Sequence, residues 1–174
     1  MNIMVSQEKE IIAAAGWIAN ARYLVAFTGA GVSVESGIPP FRGEEGLWNE
    51  YDPAALDIDY FKSNPADSWK VIFEIFYHFF LEAKPNNAHK FLSRLENRNL
   101  LKSVITQNID NLHQEAGSKT VIEYHGNSKY LLCPICGSRQ PVSEIDFDPL
   151  PPLCDKDQSV LKPDFVFLEN RYLR

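Results

Sequence analysis

One stretch constrains this chain more than any other: residues 28–42 read TGAGVSVESGIPPFR and follow the apolar run 23–27. A β-branched and aromatic run that stops at Thr-Gly-Ala-Gly predicts a buried strand ending in a loop, where the backbone approaches another group closely. Gly29 and Gly31 lack a Cβ atom, so backbone N–H groups there can converge on a phosphate or a ribose. A dinucleotide ligand is the first hypothesis. A plain tight turn is the alternative, because Val34 replaces the third glycine of the usual pattern.

The rest of this loop mixes polar, glycine, proline, aromatic and cationic residues, which is typical of a mobile segment that contacts a ligand. Arg42 can meet a diphosphate, and Phe41 can cover a ring or exclude water. The fifteen residues resemble the signature loop of the sirtuins, the NAD-dependent protein lysine deacylases. That resemblance implies NAD as cofactor and contacts to it from Gly29, Ala30, Gly31, Ser33, Ile38, Pro39, Phe41 and Arg42. In the following passage, 46–53, Trp48 and Tyr51 are predicted to anchor a loop.

Length and charge exclude some classes of protein. A chain of 174 residues with 45% hydrophobic content predicts one globular core. The net charge of −6 and the pI near 5.2 argue against nucleic acid or an anionic membrane as partner. An acidic surface suits a basic, lysine-bearing partner, or serves solubility alone. We expect a cytoplasmic protein, since the sequence shows no leader and no membrane-spanning run, and its three cysteines suit a metal site or free thiols.

The hydrophobic pattern alternates between helices and short strands. An amphipathic helix at 6–21 is predicted to pack on the core, a helix at 66–83 has a broad aromatic face, and Asn86 is placed to cap the next helix. His89, beside the stripe of that helix, is expected to make a structural hydrogen bond. With strands at 23–27, 100–105 and 121–124, the resemblance implies one α/β domain over 1–174. Its Rossmann-like parallel sheet is incomplete at the C-terminus, with a small helical module at about 52–98 and a zinc-ribbon-like module at about 129–160 inserted in it.

A second motif, TQNIDNLH, follows the predicted strand 100–105 directly. Ligands of open α/β sheets gather at the carboxyl ends of the strands, so amide and carboxylate side chains there are suggestive. A turn that caps the short helix 112–116 explains Asn108 and Asp110 almost as well. The motif resembles the sirtuin sequence TQNID-x-LH. The resemblance assigns Gln107 and Asn108 to the ribose of NAD and Asp110 to the nicotinamide carboxamide, with Ile109 among the contacts.

A third motif, His125-Gly126-Asn127, follows the strand 121–124. A histidine at a strand end, next to a glycine, is well placed to act as a general base near neutral pH. Residue chemistry alone leaves a catalytic and a structural role equally open. The passage resembles the E-x-H-G sequence of sirtuins, which implies that His125 is the catalytic base.

The cysteines depart from the family pattern. Cys133 and Cys136 have the spacing of a structural zinc knuckle, but a single cysteine, Cys154, follows them. The sirtuin pattern places the fourth ligand at Asp157. Zinc with three thiolates and one carboxylate is the favoured interpretation, with Asp155 or water as substitutes for Asp157. The alternative is a module without metal, held by the packing of residues 149–153.

The C-terminus departs further, because 161–167 resemble a sirtuin strand that usually continues Phe-Gly-Glu, whereas this chain reads LENRYLR. The family's usual continuation can be written as the codons TTT TTT GGA GAA CCG ATA CCT. Removing one T from these codons gives TTT TTG GAG AAC CGA TAC CT. The first encodes Phe-Phe-Gly-Glu-Pro-Ile-Pro and the second Phe-Leu-Glu-Asn-Arg-Tyr and then Leu, as in 167–173. A frameshifted or truncated sirtuin is the hypothesis that follows, and sequencing the coding DNA tests it.

Two functions are therefore predicted. The first is an NAD-dependent protein lysine deacetylase, which cleaves the nicotinamide–ribose bond of NAD and transfers the acyl group of an acyl-lysine protein to ADP-ribose. The alternative is a catalytically inactive, truncated sirtuin that binds nucleotide weakly at most. Relatives that remove acidic acyl groups carry a Tyr-x-x-Arg pair. Tyr77 is followed at that spacing by Phe80, which favours a neutral acyl group. A plain α/β module with structural glycines is a third interpretation, and three motifs in the family's order argue against it.

Overall fold

The computed structural model describes residues 2–78, 80 and 82–168. The predicted frameshifted tail from residue 169 onward lies outside the described residues, so that hypothesis stays a prediction. Within the described part, no helix combines the length and the apolar character needed to cross a bilayer.

A three-stranded parallel sheet forms the centre of the first half of the fold. Its strands are β1 (Leu24–Thr28), β2 (Leu101–Thr106) and β3 (Val121–Glu123), in the order β1-β2-β3. Thr28 pairs with Thr106 and Thr106 with Glu123, so all three strands end at the same edge. The predicted α/β class with a parallel sheet is confirmed. Because the three motifs follow these strands, the register alone brings them together.

The N-terminal helix α1 (Asn2–Asn20) contradicts its prediction as a core helix. Ile11, Ile12 and Trp17 are 64–77% exposed. The helix contacts the small cluster of Leu95, Leu101 and Val104 through Ile18. One face of the sheet is also open, with exposed side chains at Val25, Phe27, Ile122 and Tyr124. The prediction was wrong because amphipathic periodicity shows that a helix has an apolar face, and not that a partner covers that face.

Helices α2 (Ile58–Ser63), α3 (Pro65–Ile72) and α4 (Asn87–Asn97) follow. The helix predicted over 66–83 begins one residue earlier and changes to a π-helical turn at Phe73–His78, which shifts the side chains after Ile72 around the axis. Asn86 caps α4 as predicted, in a capping box with His89. A short helix α5 (Leu112–Glu115) lies between β2 and β3.

The second sheet is antiparallel, in the order β5-β4-β6, with β4 (Gly126–Leu132), β5 (Arg139–Pro141) and β6 (Lys162–Phe165). The main core joins this sheet to the helices. Trp69, fully buried on α3, donates from Nε1 to the Leu161 carbonyl at 2.8 Å, and Phe76 packs on Phe165 with ring centroids 4.9 Å apart. The predicted module bounds of about 52–98 and 129–160 stay a prediction.

Candidate active site

A cavity of about 460 Å³ opens at the carboxyl edge of the parallel sheet. It gathers the three motifs, which are far apart in sequence. Of the predicted nucleotide-contacting and catalytic residues, those that line it are Gly29, Ala30, Ser33, Ile38, Pro39, Phe41, Arg42, Gln107, Asn108, Ile109, Asp110 and His125. Gly31 is exposed and is not among the lining residues.

The glycine loop leaves β1 at Thr28 and enters a 3₁₀ helix, Ala30–Ser36. Gly29 has φ −143°, an extended conformation that any residue adopts, and a Cβ there would meet its nearest atom, Gln107 Nε2, at 3.9 Å. A Cβ on Gly31 would meet nothing within 4 Å. Packing within the protein therefore requires neither glycine. The open space beside them fits a ligand that lies against the backbone, as the predicted nucleotide would.

Ser33 is the hub of a buried polar network beneath the cavity. It is fully buried, and its hydroxyl donates to Asp110 Oδ2 at 2.6 Å. The Asn108 amide donates to Ser33 Oγ at 3.0 Å and to Asp110 Oδ2 at 3.2 Å. Asp110 Oδ1 accepts from the Leu112 backbone N–H at 3.0 Å. One oxygen of Asp110 therefore caps the turn and the other orients Ser33 and Asn108, while its contact with a nicotinamide stays a prediction.

His89 extends the network and has the structural hydrogen bonds expected from the sequence. Its Nδ1 accepts from the Asn86 backbone N–H at 3.3 Å, so the proton of a neutral ring is on Nε2, 3.5 Å from Ser33 Oγ. Burial lowers the pKa of His89, which keeps the ring neutral. The helix cap is thereby connected to the cavity through Ser33.

A second chain of hydrogen bonds connects the carboxyl ends of β1 and β2. His113 Nε2 lies 2.8 Å from Thr28 Oγ1, which donates to Thr106 Oγ1 at 2.9 Å, and the Asn108 backbone N–H donates to Thr106 Oγ1 at 3.0 Å. His113 is 1% exposed. Burial, and then the neighbouring His89, lower its pKa to about 4. These residues set the positions of β1 and β2 where the motifs begin.

We expect the free energy of unfolding to fall as the pH drops from about 6.5 to about 4, by about 1–3 kcal/mol through His113. Its pKa is lower in the folded chain than in the unfolded chain, so the unfolded chain binds the proton more tightly. The contribution of His113 to the free energy of unfolding is therefore fully present above pH 6.5 and is lost as the pH falls towards 4. Urea denaturation at pH 7 and pH 5 measures the slope. His113→Gln should reduce the slope, and an unchanged slope in that variant would contradict the assignment to His113.

His125 lies at the rim of the cavity, between β3 and β4. Its Nδ1 is 3.1 Å from the Gln107 carbonyl oxygen, which only accepts, so Nδ1 carries the proton and Nε2 of a neutral ring is the free base. Gly126 has φ +80°, and a Cβ there would also collide with the Asp164 carbonyl oxygen. The His125 carbonyl accepts from the Val166 backbone N–H at 2.8 Å. The backbone at His125 is thus fixed by β6.

The apolar wall of the cavity was not predicted as part of the site. Phe76 and Phe80 were assigned to the core and Trp48 to a loop anchor. All three line the cavity, and Trp48 also stacks on Phe41 at 5.2 Å. Leu47, Leu56, Phe165, Val166 and Leu168 complete the apolar wall. The helical spacing of aromatic residues in a sequence does not distinguish residues of the core from residues of a cavity wall.

The predicted metal ligands Cys133, Cys136, Cys154 and Asp157 come together beside β4, with ligand atoms within 4.8 Å of one another. Cys133 Sγ accepts backbone N–H groups of Ile135 at 3.4 Å and of Cys136 at 3.3 Å. Burial raises the pKa of Cys133, but hydrogen bonds from Ser159 and these N–H groups outweigh it and lower the pKa to about 7. Hydrogen bonds from Ser159 hold the pKa of Asp157 below its usual range. The donor set fits zinc.

The fold and the cleft define an α/β protein with a polar site at the carboxyl ends of parallel strands. A sequence model described as the Sir2 family matches residues 29–172. The chain belongs to the Sir2 family.

Relatives and solved structures agree with that membership. The chain is 45% identical over 153 residues to an NAD-dependent protein deacetylase of Caldivirga maquilingensis, covering 86% of this chain and 59% of the relative. It is 46% identical to an NAD-dependent protein deacylase of Aeropyrum pernix, covering 86% and 61%. A structure described as Sir2 with a p53 peptide and NAD⁺ has a TM-score of 0.80 at 42% identity and covers 90% of this chain and 63% of that one. The chain therefore spans about three fifths of the length of these relatives.

Proposed function

We propose that the protein is an NAD-dependent protein lysine deacylase whose cleft binds the nicotinamide and ribose part of NAD beside an acyl-lysine side chain. One observation carries the proposal. His125, the network of Ser33, Asn108 and Asp110, and the glycine loop all line one cavity. The activities for which the relatives are named, protein deacetylation and deacylation with NAD, support it.

When bound, NAD would supply a ribose carbon that takes the acyl oxygen as nicotinamide leaves. One water would be consumed overall, the acyl group would end on ADP-ribose, and the lysine would leave as a free amine. The protein's part is to hold and orient. Asp110 and Asn108, fixed by Ser33, present a carboxylate and an amide to the nicotinamide and the ribose. His125 Nε2 takes the proton of a ribose hydroxyl, while the hydrogen bond of Nδ1 to the Gln107 carbonyl oxygen prevents the ring from turning.

The loop residues have separate parts in this proposal. Arg42 faces the cavity and offers a guanidinium to the diphosphate. The small side chain of Ala30 leaves space beside the backbone for the ligand. The other predicted contacts surround the ligand with apolar and amide groups: Ile38, Pro39, Phe41, Gln107 and Ile109.

The wall formed by Phe76 and Phe80 favours a neutral acyl group. Tyr77 is not among the cavity-lining residues, and its buried ring stacks on Trp69 with ring centroids 6.0 Å apart. Arg42 is the cation among the cavity-lining residues, and the diphosphate is its proposed partner. An acidic acyl group would therefore lack a second cation at this wall.

A zinc ion would be held by Cys133, Cys136, Cys154 and Asp157. Four protein ligands leave no open position, so the metal would stabilise the module and take no part in the reaction. The cytoplasmic location stays a prediction.

The test is nicotinamide release from NAD with an acetyl-lysine peptide. We expect release that depends on acetylation of the peptide, with the unacetylated peptide as the matched control. Equal nicotinamide release with both peptides would show that the proposal is wrong. So would the absence of both nicotinamide release and ADP-ribose binding, the latter measured by calorimetry.

A second candidate is nucleotide binding without turnover, and the open sheet face favours it. Phe27, Ile122 and Tyr124 are 51–70% exposed on a parallel sheet, a kind of sheet that is normally covered on both faces. Binding of ADP-ribose without peptide-dependent release of nicotinamide would support this candidate over the first.

A further inference from the structure

The candidate metal cluster contains three sulfur ligands and one carboxylate: Cys133, Cys136, Cys154 and Asp157. The carboxylate makes hydrogen bonds with one neighbouring residue, Ser159. Asp157 Oδ1 accepts from the Ser159 hydroxyl at 2.5 Å and from the Ser159 backbone N–H at 3.0 Å. Both oxygens lie near Cys133 Sγ, Oδ2 at 3.4 Å and Oδ1 at 3.6 Å. Oδ1 thus accepts both hydrogen bonds from Ser159, and Oδ2 is the oxygen nearer to the sulfur.

Ser159 also reaches the thiol side of the cluster. Its hydroxyl oxygen lies 3.1 Å from Cys133 Sγ, so one side chain contacts both the carboxylate and a sulfur. Asp155, the other acidic residue considered from the sequence, does not belong to the cluster of ligand atoms among the described residues. The orientation of Asp157 therefore depends on Ser159.

We propose that Asp157 is the fourth ligand of this centre through Oδ2 alone, and that Ser159 is the positioning residue that keeps Oδ1 away from the metal. The inference rests on the proposed zinc site and concerns how that site holds its metal. Residues that hydrogen-bond to a metal's ligands commonly fix the orientation of those ligands in this way.

The mixed ligand set changes the strength of binding and not the charge. Three thiolates and one carboxylate carry the same total charge as four thiolates. A carboxylate oxygen is a harder donor than sulfur, so zinc, which is well matched to thiolates, is held less tightly and exchanges faster. The centre is then a zinc site of reduced affinity, from which the metal is released at chelator concentrations that a four-thiolate centre resists.

The experiment uses the full chain and four variants. Asp157→Cys creates the four-thiolate control, Asp157→Ala removes the ligand, Ser159→Ala removes the hydroxyl, and Ser138→Ala is the matched serine control. Ser138 Oγ lies 3.1 Å from Cys136 Sγ and 3.6 Å from Cys154 Sγ, and its described hydrogen bonds do not include Asp157. Zinc affinity is measured by competition with a chelator, and the number of thiolates by the sulfur-to-cobalt charge-transfer absorption after loading with Co²⁺. Circular dichroism checks that each variant is folded.

We expect Asp157→Cys to bind zinc at least about tenfold more tightly than the wild type, and to raise the charge-transfer absorption by about one third, in proportion to the thiolate count. Asp157→Ala and Ser159→Ala should each weaken binding by about 10–100-fold with an unchanged thiolate count, and Ser138→Ala should change the affinity less than Ser159→Ala. In the Asp157→Cys background, Ser159→Ala should have little effect, because the carboxylate that it positions is gone.

Four outcomes would overturn the inference. Equal zinc affinity in the wild type and Asp157→Ala would show that Asp157 is not a ligand. Zinc binding by Asp157→Cys without any zinc binding by the wild type would show that the Asp157 carboxylate does not act as a zinc ligand. Equal effects of Ser138→Ala and Ser159→Ala on zinc affinity would show that Ser159 is not a positioning residue for Asp157. If neither the wild type nor Asp157→Cys binds zinc or cobalt, the proposed metal site itself is wrong, whereas the nicotinamide-release assay still tests the deacylase activity.

Discussion

Replacing His125 by alanine is expected to reduce peptide-dependent nicotinamide release and deacylation by about 10²–10⁴-fold, the usual contribution of a general base. The hydrogen bond from Nδ1–H to the Gln107 carbonyl leaves Nε2 as the basic atom at the rim of the cavity. Alanine offers no base there, and water is free to take its place. The rate is measured with saturating NAD and an acetyl-lysine peptide.

The binding of NAD should be nearly unchanged in the same variant, because the described contacts of Ser33, Asp110 and Asn108 do not include His125. His125→Gln is a useful second variant, since its amide can still donate to the Gln107 carbonyl but does not accept a proton near neutral pH. Turnover by either variant at more than a tenth of the wild-type rate would contradict the role of His125 as the base.

Replacing Trp69 by alanine is expected to lower the free energy of unfolding by about 3–5 kcal/mol. The indole is fully buried, stacks on Tyr77, and lies 6.0 Å from the Phe147 ring centroid. Its loss leaves a cavity where the helices meet the second sheet. For a domain with a total stability of about 5–15 kcal/mol, this is a large fraction. Urea denaturation followed by circular dichroism measures the change.

The chain offers a matched control for this substitution. Trp17 on α1 is 77% exposed, so Trp17→Ala should change the free energy of unfolding by about 0.5 kcal/mol or less. Trp69→Phe keeps most of the ring and removes the donor to the Leu161 carbonyl, so we expect an intermediate loss. Equal losses for Trp17→Ala and Trp69→Ala would mean that the described core does not exist in solution.

Much of the local structure followed from the sequence, because local signals have local causes. The strands before Thr28 and after Asn99, the cap at Asn86 and the knuckle at Cys133 each depend on residues within a few positions. The parallel order of strands then required the motif residues to share one edge. The gathering of the predicted side chains around one cavity agrees with that requirement.

The contacts between distant residues could not be predicted in the same way. Ser33 donates to Asp110 across 77 residues of sequence and meets His89 across 56. The proton position on His125 depends on the Gln107 carbonyl, which lies just after β2. Phe76 and Phe80 line the cavity together with residues of the glycine loop, which are distant in sequence. The exposure of Trp17 likewise depends on what packs against α1.

The sequence by itself determined the strand–loop–helix units, the edge at which the motifs meet and the identity of the donor atoms. These follow from backbone preferences and from hydrophobic periodicity, which act over short distances. The tertiary structure alone decided which donors face one another, which nitrogen of His125 carries the proton and which apolar faces stay open. Hydrogen bonds and packing are decided within a few ångströms in space, and separation along the chain does not encode that distance.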